Sequence, residues 1–167
     1  MNVQAKVISR EISEYFWRAE KTLSTAESCT AGLVSASITS MPGSSNYFKG
    51  GVVVYTDELK TQLLGVPAEL LAKKGAVSQE VAEAMVRGAL AQLKTDYAVA
   101  VTGYAGPGGG PEAPVGTIFI AVGCSDDIVV RELTGDDGRD ENVARATLTA
   151  LKMLLEKLEK DFPLPEE

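Results

Sequence analysis

Thr22–Met41, TLSTAESCTAGLVSASITSM, changes its periodicity halfway along. TLSTAES alternates and is rich in β-formers, so it predicts a short strand ending at Ser28. CTAGLVSASITSM then predicts a helix, with Leu33, Val34, Ser37 and Ile38 on one side. A strand running straight into a helix is the repeating unit of an α/β domain. Exposed N–H groups at such a junction favour negative charge, including phosphate and oxyanions. Ser28 and Thr30 are candidate caps for the helix, and Ser28 and Cys29 are candidate nucleophiles.

Upstream, MNVQAKVISREISEYFWRAE reads as an amphipathic helix with Val3, Val7, Ile8, Ile12, Phe16 and Ala19 near helical spacing. Downstream, PGSSNYFKG is a loop, and GVVVYT, Gly51 to Thr56, fits a buried strand. DELKTQLLG is a short helix capped by Asp57 and stopped by Gly65, and Pro67 starts another. Ser78 caps a helix whose stripe is Val81, Met85, Ala89 and Leu93. DYAVAVTG is a second buried strand, and YAGPGGGPEAPVG is a long Gly/Pro loop. TIFIAVGC and DIVVREL form a hairpin turning at Ser125 and Asp126. A last helix runs from about Asp140 to Lys160. Its buried side is marked by Val143, Thr147, Ala150, Leu154 and Leu158, and the tail 161–167 is expected to be loose. The pattern predicts one domain over residues 1–167, a three-layer α/β/α sandwich around a mixed, mainly parallel sheet.

Composition narrows the function. The chain of 167 residues carries a net charge of -7, which argues against a nucleic-acid partner. No apolar run reaches membrane-spanning length, and the charged N-terminus does not read as a signal peptide, so the expected location is the cytoplasm without membrane attachment. The two cysteines, Cys29 and Cys124, are expected to be free thiols. The most informative count is zero histidines, which excludes a serine–histidine–acid triad or cysteine–histidine pair built from this chain alone. A metal site would also lack its commonest nitrogen ligand, and none is expected.

Sites in α/β sheets collect where strands end. Besides Thr25–Gly32, two such junctions stand out. In VVYTDELK, Tyr55 and Lys60 project to the same sheet edge. A lysine can serve a serine as base, but an ordinary pKa of about 10.4 makes the neutral amine roughly 4–5 kcal/mol unfavourable at pH 7, so burial or a nearby cation must lower it. VTGYAGPGGGPEAPVG is neither a Walker loop nor a dinucleotide fingerprint, but its glycines permit close approach to a ligand.

AESCTAGLV, PGSSNYFKGGVVVYTDELKTQLLGV, GAVSQEVAEAMVRGA and VTGYAGPGGGPEAPVGTIFIAV together resemble the CinA C-terminal domain family, the nicotinamide-nucleotide amidohydrolases, from roughly Thr22 to Leu155. The resemblance implies a stand-alone cytoplasmic domain, a homodimer, needing no cofactor or metal and hydrolysing the amide of nicotinamide mononucleotide (NMN) to the acid and ammonia. It assigns Ser28 as nucleophile with Tyr55 and Lys60 as its base system, Lys60 acting directly or through Tyr55. It assigns substrate binding to Glu27, Thr30, Ala31, Gly32, Ser44, Ser45, Thr102, Gly103, Gly106, Gly108, Arg139 and Arg145. N–H groups near Thr30 and Ala31 would hold the oxyanion, and the glycine loop with Ser44 and Ser45 the ribose phosphate. Ala31 replaces a usual glycine, and Asp57 a usual asparagine. GRDENVA places Asp140 and Ala144 where the family carries arginines. Arg139 and Arg145 are expected to face elsewhere, because adjacent helix positions differ by about 100°. The alternatives are a relative that binds a nucleotide or a protein without turnover, and an amidase for another small amide.

Overall fold

The computed structural model describes residues 2–165. The elements run α1 (Val3–Ala19), β1 (Leu23–Glu27), α2 (Leu33–Thr39), a 3-10 turn (Ser44–Asn46), β2 (Phe48–Val53), α3 (Asp57–Leu64), α4 (Ala68–Lys74), α5 (Gln79–Leu93), β3 (Tyr97–Gly103), β4 (Ile118–Cys124), β5 (Asp127–Leu133) and α6 (Arg139–Asp161). The five strands form one mixed sheet in the order β2-β1-β3-β4-β5. β1 is parallel to β2 and β3, while β4 is antiparallel to β3 and β5, so only β4 points against the other strands.

Alternation along the strands builds two cores. Leu23, Val99, Val101, Ile118, Ile120 and Val122 face α1, α2 and α6. Ala26, Ala98, Ala100 and Ala121 face the other way, towards α3, α4 and α5. Alanines on that face let α5 lie close to the sheet. α5 also lies close to α3, because a Cβ on its Gly88 would run into the Leu64 carbonyl. Among the described residues, no helix is long and apolar enough to cross a membrane.

Local details differ from the sequence reading. α1 buries Ala5, Ile8, Ser9, Ile12, Tyr15 and Phe16, whereas Val3 and Val7 are exposed. The stripe carrying the aromatic pair wins, with Phe16 stacked on Tyr47 at 5.1 Å. α2 starts at Leu33, with Leu33 itself exposed, because residues 28–32 form a separate turn. β2 is an edge strand, half-exposed and starting at Phe48; a run of β-branched residues does not distinguish edge from centre. Thr56, not Asp57, caps α3, its hydroxyl accepting from the Leu59 N–H. The tail is more ordered than expected as far as Phe162. Asp161 closes α6 and accepts from the Tyr97 hydroxyl, and Phe162 packs edge-on against Tyr97. Residues 166–167 of the predicted loose tail lie outside the described residues.

Candidate active site

β1, β2 and β3 deliver their C-terminal ends side by side, and the turn from β1 to α2 crosses that edge. Glu27, the last residue of β1, is 1% exposed and works as an internal cap. Its carboxylate accepts the Thr30 hydroxyl at 2.7 Å, the Val34 and Ser35 N–H groups at 2.8 and 3.1 Å, and the Ser35 hydroxyl at 2.7 Å. This satisfies the start of α2 from within and fixes the turn that carries Ser28. The turn is contorted: Ala31 has φ 48° and Gly32 φ 100°. Ser28 is held from behind by its N–H, which donates to the Val101 carbonyl at 3.0 Å.

Lys60, in the first turn of α3, is 2% exposed. Its Nζ lies 3.2 Å from Ser28 Oγ and 3.0 Å from the Val54 carbonyl oxygen. Burial lowers its pKa from the ordinary value, while Asp57 and Cys29 pull the other way. Cys29 is no rival nucleophile, since burial pushes its thiol up to about 11 and leaves it protonated near neutral pH.

Two cavities meet at Ser28. The larger, about 590 Å³, lies between the α4–α5 link and the glycine loop, and Tyr55, Lys60, Thr102, Gly103 and Tyr104 share its lining. The smaller, about 210 Å³, is lined by Cys29, Gly103, Gly106, Gly108 and Arg139 among others, and Ser28 and Tyr55 border both. Arg139, the first residue of α6, donates from Nη2 to the Tyr55 hydroxyl at 2.8 Å and from Nη1 to the Gly106 carbonyl. Thr102 donates its hydroxyl to the Ala76 carbonyl at 2.9 Å.

The sequence profile described as "CinA C-terminal domain" matches residues 5–158. The chain belongs to the CinA C-terminal domain family. A CinA-like protein of Mycolicibacterium gilvum is 50% identical over 138 residues, covering 81% of this chain and 33% of that protein. One from Geotalea daltonii is 45% identical over 154 residues, covering 92% of this chain and 37% of its own. The chain thus spans about a third of the length of these curated relatives. Among solved structures, the competence/damage-inducible protein CihA of Agrobacterium tumefaciens superposes with a TM-score of 0.89 at 40% identity, covering 93% of this chain and 96% of that one. A CinA superfamily protein of Klebsiella pneumoniae gives 0.90 at 32% identity, over 96% and 99%.

Within this CinA domain, Ser28, Tyr55, Lys60, Thr102, Gly103, Gly106, Gly108 and Arg139 converge on the two cavities. Six expectations need correction. Ser44 and Ser45 lie at the other end of the sheet: Tyr47, the next residue but one, accepts the N–H of Leu23 where β1 begins, so the length of β1 separates them from Ser28. Arg139 turns into the site; at the very start of α6 its long side chain reaches back over the glycine loop, and helix-face geometry does not limit it. Arg145 remains outside, bound to Asp137 at 3.2 Å and the Gly135 carbonyl at 2.7 Å. The Ala31 N–H is already donated to the Ser28 carbonyl and is not free for an oxyanion, whereas the N–H groups of Cys29 and Thr30 meet no backbone carbonyl among the described residues. Tyr55 is 54% exposed and its hydroxyl is engaged by Arg139; Lys60 reaches Ser28 without it. Glu27, Thr30 and Gly32 shape the turn and line neither cavity.

The sequence reading missed three residues. Asn142, 0% exposed, donates to the Ala105 carbonyl at 3.0 Å and ties α6 to the glycine loop. Tyr104 and Glu112 belong to that loop and line the larger cavity. A lone acid inside a Gly/Pro segment was the available signal for Glu112.

Proposed function

We propose that this chain hydrolyses the carboxamide of NMN to the carboxylate and ammonia. The observation that carries the reading is Lys60: a lysine 2% exposed, its Nζ 3.2 Å from a serine hydroxyl where two cavities meet. Burial favours the neutral amine, and with one N–H taken by the Val54 carbonyl the neutral amine can rotate its lone pair to accept the Ser28 proton across the 3.2 Å contact. Ser28 Oγ attacks the amide carbon as Lys60 accepts its proton. The tetrahedral oxyanion is held by the N–H of Cys29, which follows Ser28 in the turn and lines the smaller cavity with it. Collapse breaks the C–N bond, Lys60 returns the proton to departing ammonia, and an ester to Ser28 remains. Water attacks that ester with Lys60 again as base, releasing the acid and restoring the hydroxyl. Arg139 and the backbone at Gly106 and Gly108 supply the cationic, close-approach wall suited to a phosphate, and Tyr55 holds Arg139 in place.

One of the two altered arginine positions, Ala144, lies away from Ser28 and weighs little against turnover. Ala144 lines an apolar groove with Asn2, Ala5, Leu33, Ala36, Ser37, Thr147 and Leu148, not either cavity at Ser28, so an arginine there would not serve this site. The test is ammonia release from NMN by the purified protein, run beside a thermal-shift titration. Ammonia lost in Ser28→Ala supports the amidase. Stabilisation by NMN without ammonia supports a binding protein instead.

A further inference from the structure

The glycine loop is closed at its neck, where the Tyr104 N–H meets the Thr117 carbonyl at 3.0 Å and the Gly116 N–H meets the Tyr104 carbonyl at 2.7 Å. At its tip, the Gly110 N–H bonds the Ala113 carbonyl at 3.0 Å, making a tight turn that projects Glu112. Glu112 lines the larger cavity, and its carboxylate accepts the Val77 N–H at 3.1 Å. It lies on the bare face of Gly75, where a Cβ would come within 2.6 Å of it, and Gly75 has φ 77°. Tyr104 lines the same cavity as Glu112. Gly110 packs on that tyrosine so closely that a Cβ there would collide with its hydroxyl. Thr102 anchors Ala76 beside it. The link from α4 to α5, Gly75–Val77, is thus fastened to the loop by Glu112 and to β3 by Thr102.

We propose that Glu112 is a positioning residue, a latch holding the Gly75–Val77 link against the glycine loop so that the larger cavity keeps the shape that seats the substrate. The substrate part of this rests on the amidase reading above. Glu112 makes no bond to Ser28 or Lys60, so its effect is on fit rather than chemistry. The latch is charged across the neutral range. Although burial opposes it, Tyr104 and the Val77 N–H hold the Glu112 carboxyl below its ordinary pKa. Burial, with the carboxylate beside it, pushes Tyr104 up to about 12.

The experiment compares wild type, Glu112→Ala, Glu112→Gln and Gly75→Ala by amide hydrogen exchange over residues 75–78 and by kcat and KM for ammonia release from NMN. Gly75→Ala forces the latch from the opposite side and leaves Glu112 intact. Glu112→Ala and Gly75→Ala are expected to speed exchange in that link about tenfold or more, and to raise KM about tenfold with kcat within about threefold. Glu112→Gln, which keeps an acceptor for Val77, restores most of both. Unchanged exchange in both opening variants overturns the latch, as does a fall in kcat at constant KM, or a Glu112→Gln as defective as Glu112→Ala. Should wild type release no ammonia, the amidase reading fails, and the exchange comparison alone still decides the latch.

Discussion

Two lysines in this molecule are almost completely hidden, Lys60 at 2% and Lys157 at 4% exposure, and they have opposite chemistry. Lys157 sits between Asp127 and Asp161, its Nζ 2.8 Å from an oxygen of each. Burial alone would lower its pKa, but the two carboxylates outweigh that and raise it. Lys60 has no carboxylate within ion-pair distance among the described residues; a serine hydroxyl and a carbonyl are its partners, and burial prevails. Burial sets the cost of the charge, and the partners decide whether the charge is kept. Lys157 is therefore a staple between β5, α6 and, through Asp161, Tyr97 on β3. Lys60 is the base of the amidase reaction we propose.

Exchanging each lysine for methionine breaks the comparison most directly. Lys60→Met is expected to cut NMN turnover by about 10³-fold or more, as is Ser28→Ala, in single-turnover ammonia release. At neutral pH Lys60→Met should be no less stable than wild type, because the folded protein no longer holds a lysine against its preference for charge. Lys157→Met should do the reverse, keeping turnover while losing about 1–2 kcal/mol in chemical denaturation, since the half-exposed Asp127 can be resolvated and softens the loss.

Stability against pH sharpens the same contrast. With its folded pKa lowered, Lys60 binds fewer protons in the folded than in the unfolded chain between that pKa and its ordinary value of 10.5. Its burial thus costs most below the folded pKa, and the cost fades as pH rises towards 10.5. The stability advantage of Lys60→Met should shrink over that window. Lys157, its pKa raised, contributes fully below 10.5 and loses that contribution only as pH climbs through its higher folded value. The deficit of Lys157→Met should hold constant through the neutral range. Turnover should rise with pH along an acid limb set by Lys60, below 10.5. A flat profile would show that proton loss from Lys60 does not limit the reaction.

The sequence distinguished neither lysine by burial. VVYTDELK does place Lys60 one turn into a helix after a strand, because a strand–helix junction is a local pattern. That Lys60 Nζ would meet Ser28 depends on β1 and β2 being parallel neighbours, a non-local fact. The same limit explains Ser44 and Ser45, which sit close to β2 in sequence but at its wrong end. It also explains Arg139, whose reach over Gly106 depends on where α6 docks. The layers were legible because alternation and helical stripes are local. The edge position of β2 was not, since a strand's neighbours leave no mark in its own six residues.

The smallest expected effect lies in the turn that presents Ser28. Ala31 is exposed and holds φ 48°, where an L residue with a Cβ is strained by about 1–2 kcal/mol. Glycine removes that strain but gives the unfolded chain about 0.4–1 kcal/mol of extra freedom. The balance predicts that Ala31→Gly stabilises the protein by about 0.5–1 kcal/mol in urea denaturation. A destabilised variant would mean that the turn is not held in its left-handed form in solution. The internal cap from Glu27 would then be too weak to impose that form, even with four hydrogen bonds to the start of α2. Stabilisation would place the strain where the geometry has it, in the residue three positions after Ser28, and would show that Glu27 sustains the presentation of Ser28 against that cost.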